Sequence, residues 1–288
     1  MAERESFTAG AVALATTASV LSRAVTRLEN RLGAQLLRRT TRRVTLTETG
    51  RRYLDQARAA FTLLGDAERE IGGQADALTG RIRMSVPTTW GHYRVPALLA
   101  QFARRYPGVK VELNITNRSV DLVAEGFDLA IRLGDLPDSG LAARKLADEA
   151  LCLVAAPAYL ARAGTPRTLD DLREHVCLPF ILPRTGRIAP WVFRNGGTDV
   201  EWTAPATIEV SDDVLGVVSL AVAGIGIGQS YDFIVREHVA AGRLVEVLPH
   251  LRGRSRPFSV VYAPHRRQSA ATRAMIDILT GATDERFA

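Results

Sequence analysis

Residues 6–50 read SFTAGAVALATTASVLSRAVTRLENRLGAQLLRRTTRRVTLTETG. Ser6 can cap a short helix whose apolar side is Phe7, Ala11 and Leu14, spaced four and three apart. Thr17 can cap a second helix, in which Leu21, Val25, Leu28 and Leu32 form a stripe. Ser19, Ser22, Arg23, Thr26 and Arg27 occupy its other side, and Gly33 ends it. The following QLLRRTTRRVTLTETG predicts two short strands around a basic turn, Arg39 to Arg43. A capped helix with a Ser- and Arg-bearing face can enter a major groove, where Arg reads guanine, while a basic hairpin holds flanking phosphates. Pattern alone does not separate this from an ordinary solvated helix face.

The charge distribution sharpens the reading. Residues 1–58 hold 11 arginines against five acids, a surplus of six that equals the formal net charge of the whole 288-residue chain, +6. The remaining residues balance, so a small basic head precedes a neutral body, as expected of a polyanion-binding module joined to a unit with another task. Hydrophobic residues at 47% and charged residues at 24% exclude a disordered or collagen-like chain. The longest weakly polar stretch, Leu215 to Gly228, is too short for a bilayer span of about 20 residues, and MAERESF lacks the apolar core of a signal peptide, so a cytosolic protein is expected. Cys152 and Cys177 read as core thiols.

From Thr47 a helical pattern runs to about Leu78, with Leu54, Ala57, Phe61, Leu64, Ile71, Ala75 and Leu78 in a coiled-coil-like seam that Glu68 interrupts. Beyond Thr79 and Gly80 strands and helices alternate. RIRMSVP, VKVELNITN and FDLAIRLG predict strands, with a helix in VPALLAQFARRYP and a short one around VDLVAEG. A second series follows, with helices in TLDDLREHV, DVLGVVSLAVAG and FIVREHVAAG and strands in CLPFIL, VEWTAPATIEV and from GIGQS. The strand FSVVYAP and the helix SAATRAMIDILTG close the chain. The alternation predicts an α/β body with a mostly parallel sheet.

Residues 6–50 resemble the winged helix-turn-helix of the LysR-type transcriptional regulators, whose pattern of SFT, small residues, then SxxSRAxxxLExxLGxxLxxR(T/S)xRxxxLTxxG matches from Ser6 through Gly50. The phrases DLAIRLG, LVAAPAYLARAG and LAVAGIGIG followed by LVEVLP are similar to those regulators too. The resemblance implies an α+β multidomain protein: a winged helix-turn-helix at 1–50, a linker and dimerisation helix at 51–79, and a body at 80–288 built like a periplasmic binding protein. Lobe I of the body is placed at 80–156 and 259–288, lobe II at 157–258. It further implies a non-enzymatic regulator that binds a double-stranded operator as a homodimer or homotetramer and responds to a small effector in the interlobe cleft. Ala18, Ser19, Ser22, Arg23 and Arg27 fall in the DNA-reading helix, and Arg39, Arg42 and Arg43 in the wing. Ala18 stands where the family has Pro or Gln, and Gly10 where it has Ala. MAERE corresponds to the last turn of the family's first helix, so Phe7, Ala11 and Leu14 are expected to lose part of their cover.

Gly224, Gly226 and Gly228 invite a dinucleotide fingerprint, but a helix precedes them and a strand follows, the reverse of the order that fingerprint needs. The five histidines, at 92, 175, 238, 250 and 265, are dispersed, and no nucleophile elbow is present, so neither a metal, another cofactor nor catalysis is expected. In open α/β sheets ligands bind beyond the carboxyl ends of strands. That places Thr88, Thr89, His92, Arg132, Ser211 and Asp212 at the effector cleft, with residues near Phe180 and Ile227 added by resemblance. Threonines, helix N-termini and Arg132 predict an anionic metabolite. Trp90, Trp191 and Trp202 could stack on it, with core packing the default. The rival function is a solute-binding protein or enzyme on the same two-lobed body.

Overall fold

The computed structural model describes residues 6–39, 44–71, 78–134, 140–205, 208–252, 255–264 and 268–285. By its contacts the chain divides into a head, residues 1–75 with 124–126, and a body of the rest.

In the head, Ser6 caps α1 (Phe7–Ala13), its hydroxyl accepting the Ala9 N–H at 3.3 Å. Thr17 caps α2 (Ala18–Leu32) in the same way through Val20 N–H, and Gly33 closes it in the left-handed conformation, φ +62. Ala11 is buried, Phe7 is half-buried and Leu14 is exposed. Residues 1–5, on which the expectation of a shortened first helix rests, lie outside the described residues. β1 (Leu37–Arg39) and β2 (Val44–Leu46) pair antiparallel as the two strands of a hairpin. The helix α3 (Glu48–Ile71) starts at Thr47, whose hydroxyl accepts Gly50 N–H at 2.9 Å and donates to Gln35 O at 2.7 Å. Leu78 lies outside the helix, and Thr79 and Gly80 already belong to the next strand. The sequence after Ile71 continues Gly72-Gly73, each costing about 1 kcal/mol in a helix interior.

The body is built on one seven-stranded sheet path among the described residues. β3 (Thr79–Val86) lies between β4 (Gly108–Ile115) and β5 (Leu129–Leu133), parallel to both. Short α4 (Thr88–Tyr93) and α5 (Val95–Arg105) connect β3 to β4. The other pairings are antiparallel, so the expected mostly parallel sheet is in fact mixed. The cause is β6 (Ala142–Ala155), a 14-residue strand that the sequence reading leaves unassigned. Its first part, AARKLADEA, is rich in helix formers, and pairing overrides that propensity. From Ala142 to Ala150 it pairs with β11 (Ser255–Tyr262); from Leu151 onward it pairs with β9 (Gly228–Tyr231) and β10 (Val245–Val247).

Four other expectations fail locally. Residues 122–126 form turns rather than a helix, because Asp121 Oδ1 accepts the Val123 N–H at 3.0 Å and Gly126 sits at φ +72. TLDDLREHV yields only a 3₁₀ turn, Asp171–Glu174: Asp171 Oδ2 accepts the N–H groups of Arg167 and Thr168, and the Tyr159 hydroxyl takes Val176 N–H at 2.9 Å. CLPFIL is not a strand but three isolated bridges, Cys177 to Ile227, Phe180 to Val210 and Ile181 to Ile188. The expected strand over 200–210 is split, with β8 (Thr198–Trp202) pairing β7 (Trp191–Asn195) and Val210 making its single bridge.

Helices α5 and α9 (Ala270–Glu285) bury Phe102, Met275, Ile276 and Leu279 against Ile82, Met84, Ile131 and Val260. A second cluster joins Leu153, Tyr159, Leu172, Trp191, Phe193, Ile227 and Val247. Trp90 packs on Phe258 and Trp191 on Trp202, centroids 5.3 and 5.4 Å apart; Trp90 and Trp191 are core residues, and Trp202 is half-buried against Trp191. Cys152 and Cys177 are buried free thiols, and burial pushes both up to about 12. Arg94, between α4 and α5, donates to both oxygens of Glu149 on β6 at 2.9 to 3.1 Å and lies 4.5 Å over the Phe233 ring of α8 (Asp232–Ala240). Burial raises the Glu149 carboxyl despite that guanidinium.

Two expected outcomes follow from this packing. A Cβ on Gly226 would lie 2.3 Å from the Val176 carbonyl oxygen, whereas Gly224, at φ +73 after α7 (Leu215–Val222), has only the Ala156 Cβ nearby at 3.9 Å. In thermal melts Gly224→Ala should cost about 1–2 kcal/mol, the left-handed penalty alone, and Gly226→Ala clearly more. Arg94→Met leaves a buried carboxylate unpaired and should cost about 3–5 kcal/mol, with Arg94→Met/Glu149→Leu recovering most of it; a double variant as unstable as the single would contradict this.

Candidate nucleic-acid interface and ligand cleft

α2 presents one polar side because residues at i, i+3, i+4 and i+7 share a helix face. Ser19, Arg23, Thr26 and Arg27 are exposed on α2, with Ala18 and Ser22 half-buried beside them. Arg23 and Arg27 thus stand one turn apart. The wing strands follow directly, and Arg39 ends β1 opposite Val44. Arg42 and Arg43 lie outside the described residues.

In the body, the connections from β3 run to opposite sides: α5 leads to β4 on one flank, and β5 returns on the other. The carboxyl ends of this parallel trio form a topological switch point, where open sheets bind ligands. Register determines which residues gather there. Val86 pairs with Ile115, which brings Thr88 beside Asn117, and Ser85 pairs with Ala130, which sets Arg132 near the same end. Thr88 N–H donates to Asn117 Oδ1 at 3.1 Å, and Asn117 Nδ2 donates to Thr88 Oγ1 at 2.9 Å. The same Nδ2 donates to the Asp212 carbonyl at 2.7 Å, so Asn117 ties the end of β3 to the segment before α7. Asp212 holds a left-handed backbone, φ +61, which aspartate tolerates better than most residues.

The remaining expected residues are distributed unevenly around this point. Ser211 and Asp212 are exposed, and the bridge of Phe180 to Val210 keeps half-buried Phe180 beside them. Arg132 is half-buried, and its Nη1 donates to the Ile131 carbonyl at 3.2 Å. His92 is exposed on α4, while Thr89 is buried in it. Ile227 is fully buried; its N–H goes to Val176 O and its carbonyl accepts Leu178 N–H, so both its backbone groups are used in the core. Tyr93, at the end of α4, has its hydroxyl raised by burial and by the nearby Glu237 and Asp213 carboxylates. The sequence reading missed Asn117: it follows an alternating strand, but only the β3–β4 register shows that it reaches Thr88. Among the described residues no cluster of three or more His, Cys, Asp or Glu could hold a metal. The glycines of GIGIG follow the order helix, turn, strand, from α7 to β9.

Residues 1–51 match the bacterial regulatory helix-turn-helix protein of the lysR family, and residues 75–284 match the LysR substrate binding domain. The transcriptional regulator CrgA of Neisseria meningitidis serogroup C is 32% identical over 278 residues, covering 96% of this chain and 92% of its own. The uncharacterized regulator YhjC of Escherichia coli K12 is 33% identical, covering 99% and 95%. Among solved structures, CrgA from Neisseria meningitidis superposes with a TM-score of 0.65 at 30% identity, covering 97% of this chain and 94% of that one. The full-length Vibrio cholerae virulence activator AphB superposes with a TM-score of 0.63 at 28% identity, covering 98% and 95%. A helix-turn-helix head, a long helix and a two-lobed body in one chain, matched along nearly their whole length, make this protein a member of the LysR family of DNA-binding transcriptional regulators.

Proposed function

We propose that this regulator reads its operator through Ser19, Ser22, Arg23 and Arg27, with Ala18 alongside them and Arg39, Arg42 and Arg43 on flanking phosphates. A small anionic metabolite binds at the carboxyl ends of β3, β4 and β5. The observation that carries the second half is the meeting of Thr88, Asn117 and the Asp212 carbonyl at the switch point. A carboxylate or phosphate there can accept from Thr88 N–H, from the Thr88 hydroxyl and from Asn117 Nδ2 once these leave each other, with the Arg132 guanidinium supplying charge. Thr89, His92, Phe180, Ser211, Asp212 and Ile227 complete the walls and their backing. The linker helix supports assembly into a dimer or a dimer of dimers, because Phe61 and Leu64 on its seam are exposed at 74% and 56%. The domain limits 1–50, 51–79 and 80–288, with lobes divided at 156/157 and 258/259, and a cytoplasmic location fit this reading. The rival reading, a solute-binding protein or enzyme, has no comparable support, since the DNA-binding head belongs to the matched family.

Two measurements test it. Arg23→Ala should lose about 1–3 kcal/mol on the selected operator and much less on random DNA. Substituting Arg42 and Arg43 should weaken all DNA and flatten the salt dependence, and equal losses for Arg23→Ala on both DNAs would contradict the assignment. In a thermal-shift screen, carboxylates and phosphate esters should be the stabilising class, and Thr88→Val and Arg132→Ala should each lower the affinity of the best hit about tenfold. Hits confined to cations or apolar compounds would overturn the anionic effector.

A further inference from the structure

Glu29 lies in the last turns of α2 but not on its reading side: it is six residues from Arg23 and two from Arg27, rotations of about 240° and 200° at 100° per residue. Its Oε1 accepts two consecutive backbone N–H groups, Leu36 at 2.9 Å and Leu37 at 3.0 Å. Both leucines are 5% exposed, and Leu37 is the first residue of β1. On the other side of the same segment, the Leu36 carbonyl accepts Thr47 N–H at 2.9 Å, and the Gln35 carbonyl accepts the Thr47 hydroxyl at 2.7 Å. Gly50 packs so closely on Leu36 that a Cβ there would fall 1.9 Å from its carbonyl oxygen. The root of the hairpin is therefore held between the reading helix, through one carboxylate, and the first turn of the linker helix, through Thr47 and Gly50.

We infer that Glu29 is a positioning residue for DNA binding: its carboxylate fixes the wing at a set angle to the reading helix, so that helix and wing engage one duplex together. A charged acceptor suits the task because it satisfies two buried backbone donors with one oxygen and a short, strong geometry. A neutral amide oxygen can take the same bonds more weakly; a methyl group cannot. The inference deepens the DNA-reading proposal above and rests on its assignment of the wing to flanking phosphates.

The test uses the full chain and a duplex that the wild-type protein selects from a random pool, mapped by hydroxyl-radical footprinting at saturating protein. Glu29→Ala should keep protection at the half-site centre and lose it at the flanks, with a salt slope reduced by about one to two phosphate contacts. Glu29→Gln should retain the flanking protection with affinity lowered by less than about tenfold. Amide exchange should accelerate at Leu36 and Leu37 in Glu29→Ala while α2 stays protected, a pattern that an unfolded head does not give. Unchanged flanks in Glu29→Ala, or loss of centre and flanks in equal proportion, would overturn the inference. A wild-type footprint without flanking protection would instead remove the wing assignment itself, and the inference with it.

Discussion

β6 changes neighbours halfway along its length within one sheet, and the arrangement of the body follows from that. A strand has two edges and a limited length; at 14 residues β6 is long enough to spend its first part beside β11 and its second beside β9 and β10. Because successive side chains alternate sides, the same strand feeds both hydrophobic clusters, with Leu146 in one and Leu153 and Ala155 in the other. The two clusters therefore share a continuous backbone element, not merely a linker. Arg94 and Glu149 sit where β6 is about to change partners, and the Phe233 ring from α8 closes over the guanidinium. The bidentate geometry of this ion pair ties α4, α5 and β6 together at that point, and breaking it by removing one partner leaves the other charge buried.

The head solves a different problem. Its part before the linker helix, some fifty residues, has little apolar area to bury, and the side chains of α2 are at best half-buried. Its order comes from polar fastenings: Ser6 and Thr17 on the helix starts, Gly33 on a helix end, Glu29 and Thr47 around the hairpin root. Local bonds of this kind depend on individual residue types at fixed spacings, and so the head is legible as a sequence pattern.

Legibility decreases along the body for the same physical reason. Helices with a clear apolar stripe, such as α5 and α9, and strands whose apolar residues stand in a short local run, such as β3 and β11, are read correctly because their pattern is local. β6 is not, because its Ala- and charge-rich first half looks helical until β11 pairs with it. The helix expected over 168–176 is cut short by Asp171 and Tyr159, which capture backbone groups that a helix would use. The strand ends around the proposed cleft are visible in the sequence, and with them Thr88, Arg132 and Asp212 as candidates. Asn117 is not, since a residue 29 positions from Thr88 becomes its neighbour only through the parallel register of β3 and β4.

If the effector binds where we propose, the Asn117 carboxamide has a thermodynamic consequence for it. Its oxygen sits on the Thr88 N–H where an anion's oxygen would go, and its nitrogen is spent on the Thr88 hydroxyl and the Asp212 carbonyl. The protein thus carries its own stand-in, and occupancy is an exchange of one guest for another. The measured affinity of an incoming molecule is then its intrinsic affinity reduced by the population of the vacated state. At the proposed site, a molecule that released Asn117 would also release Asp212 from the end of β3.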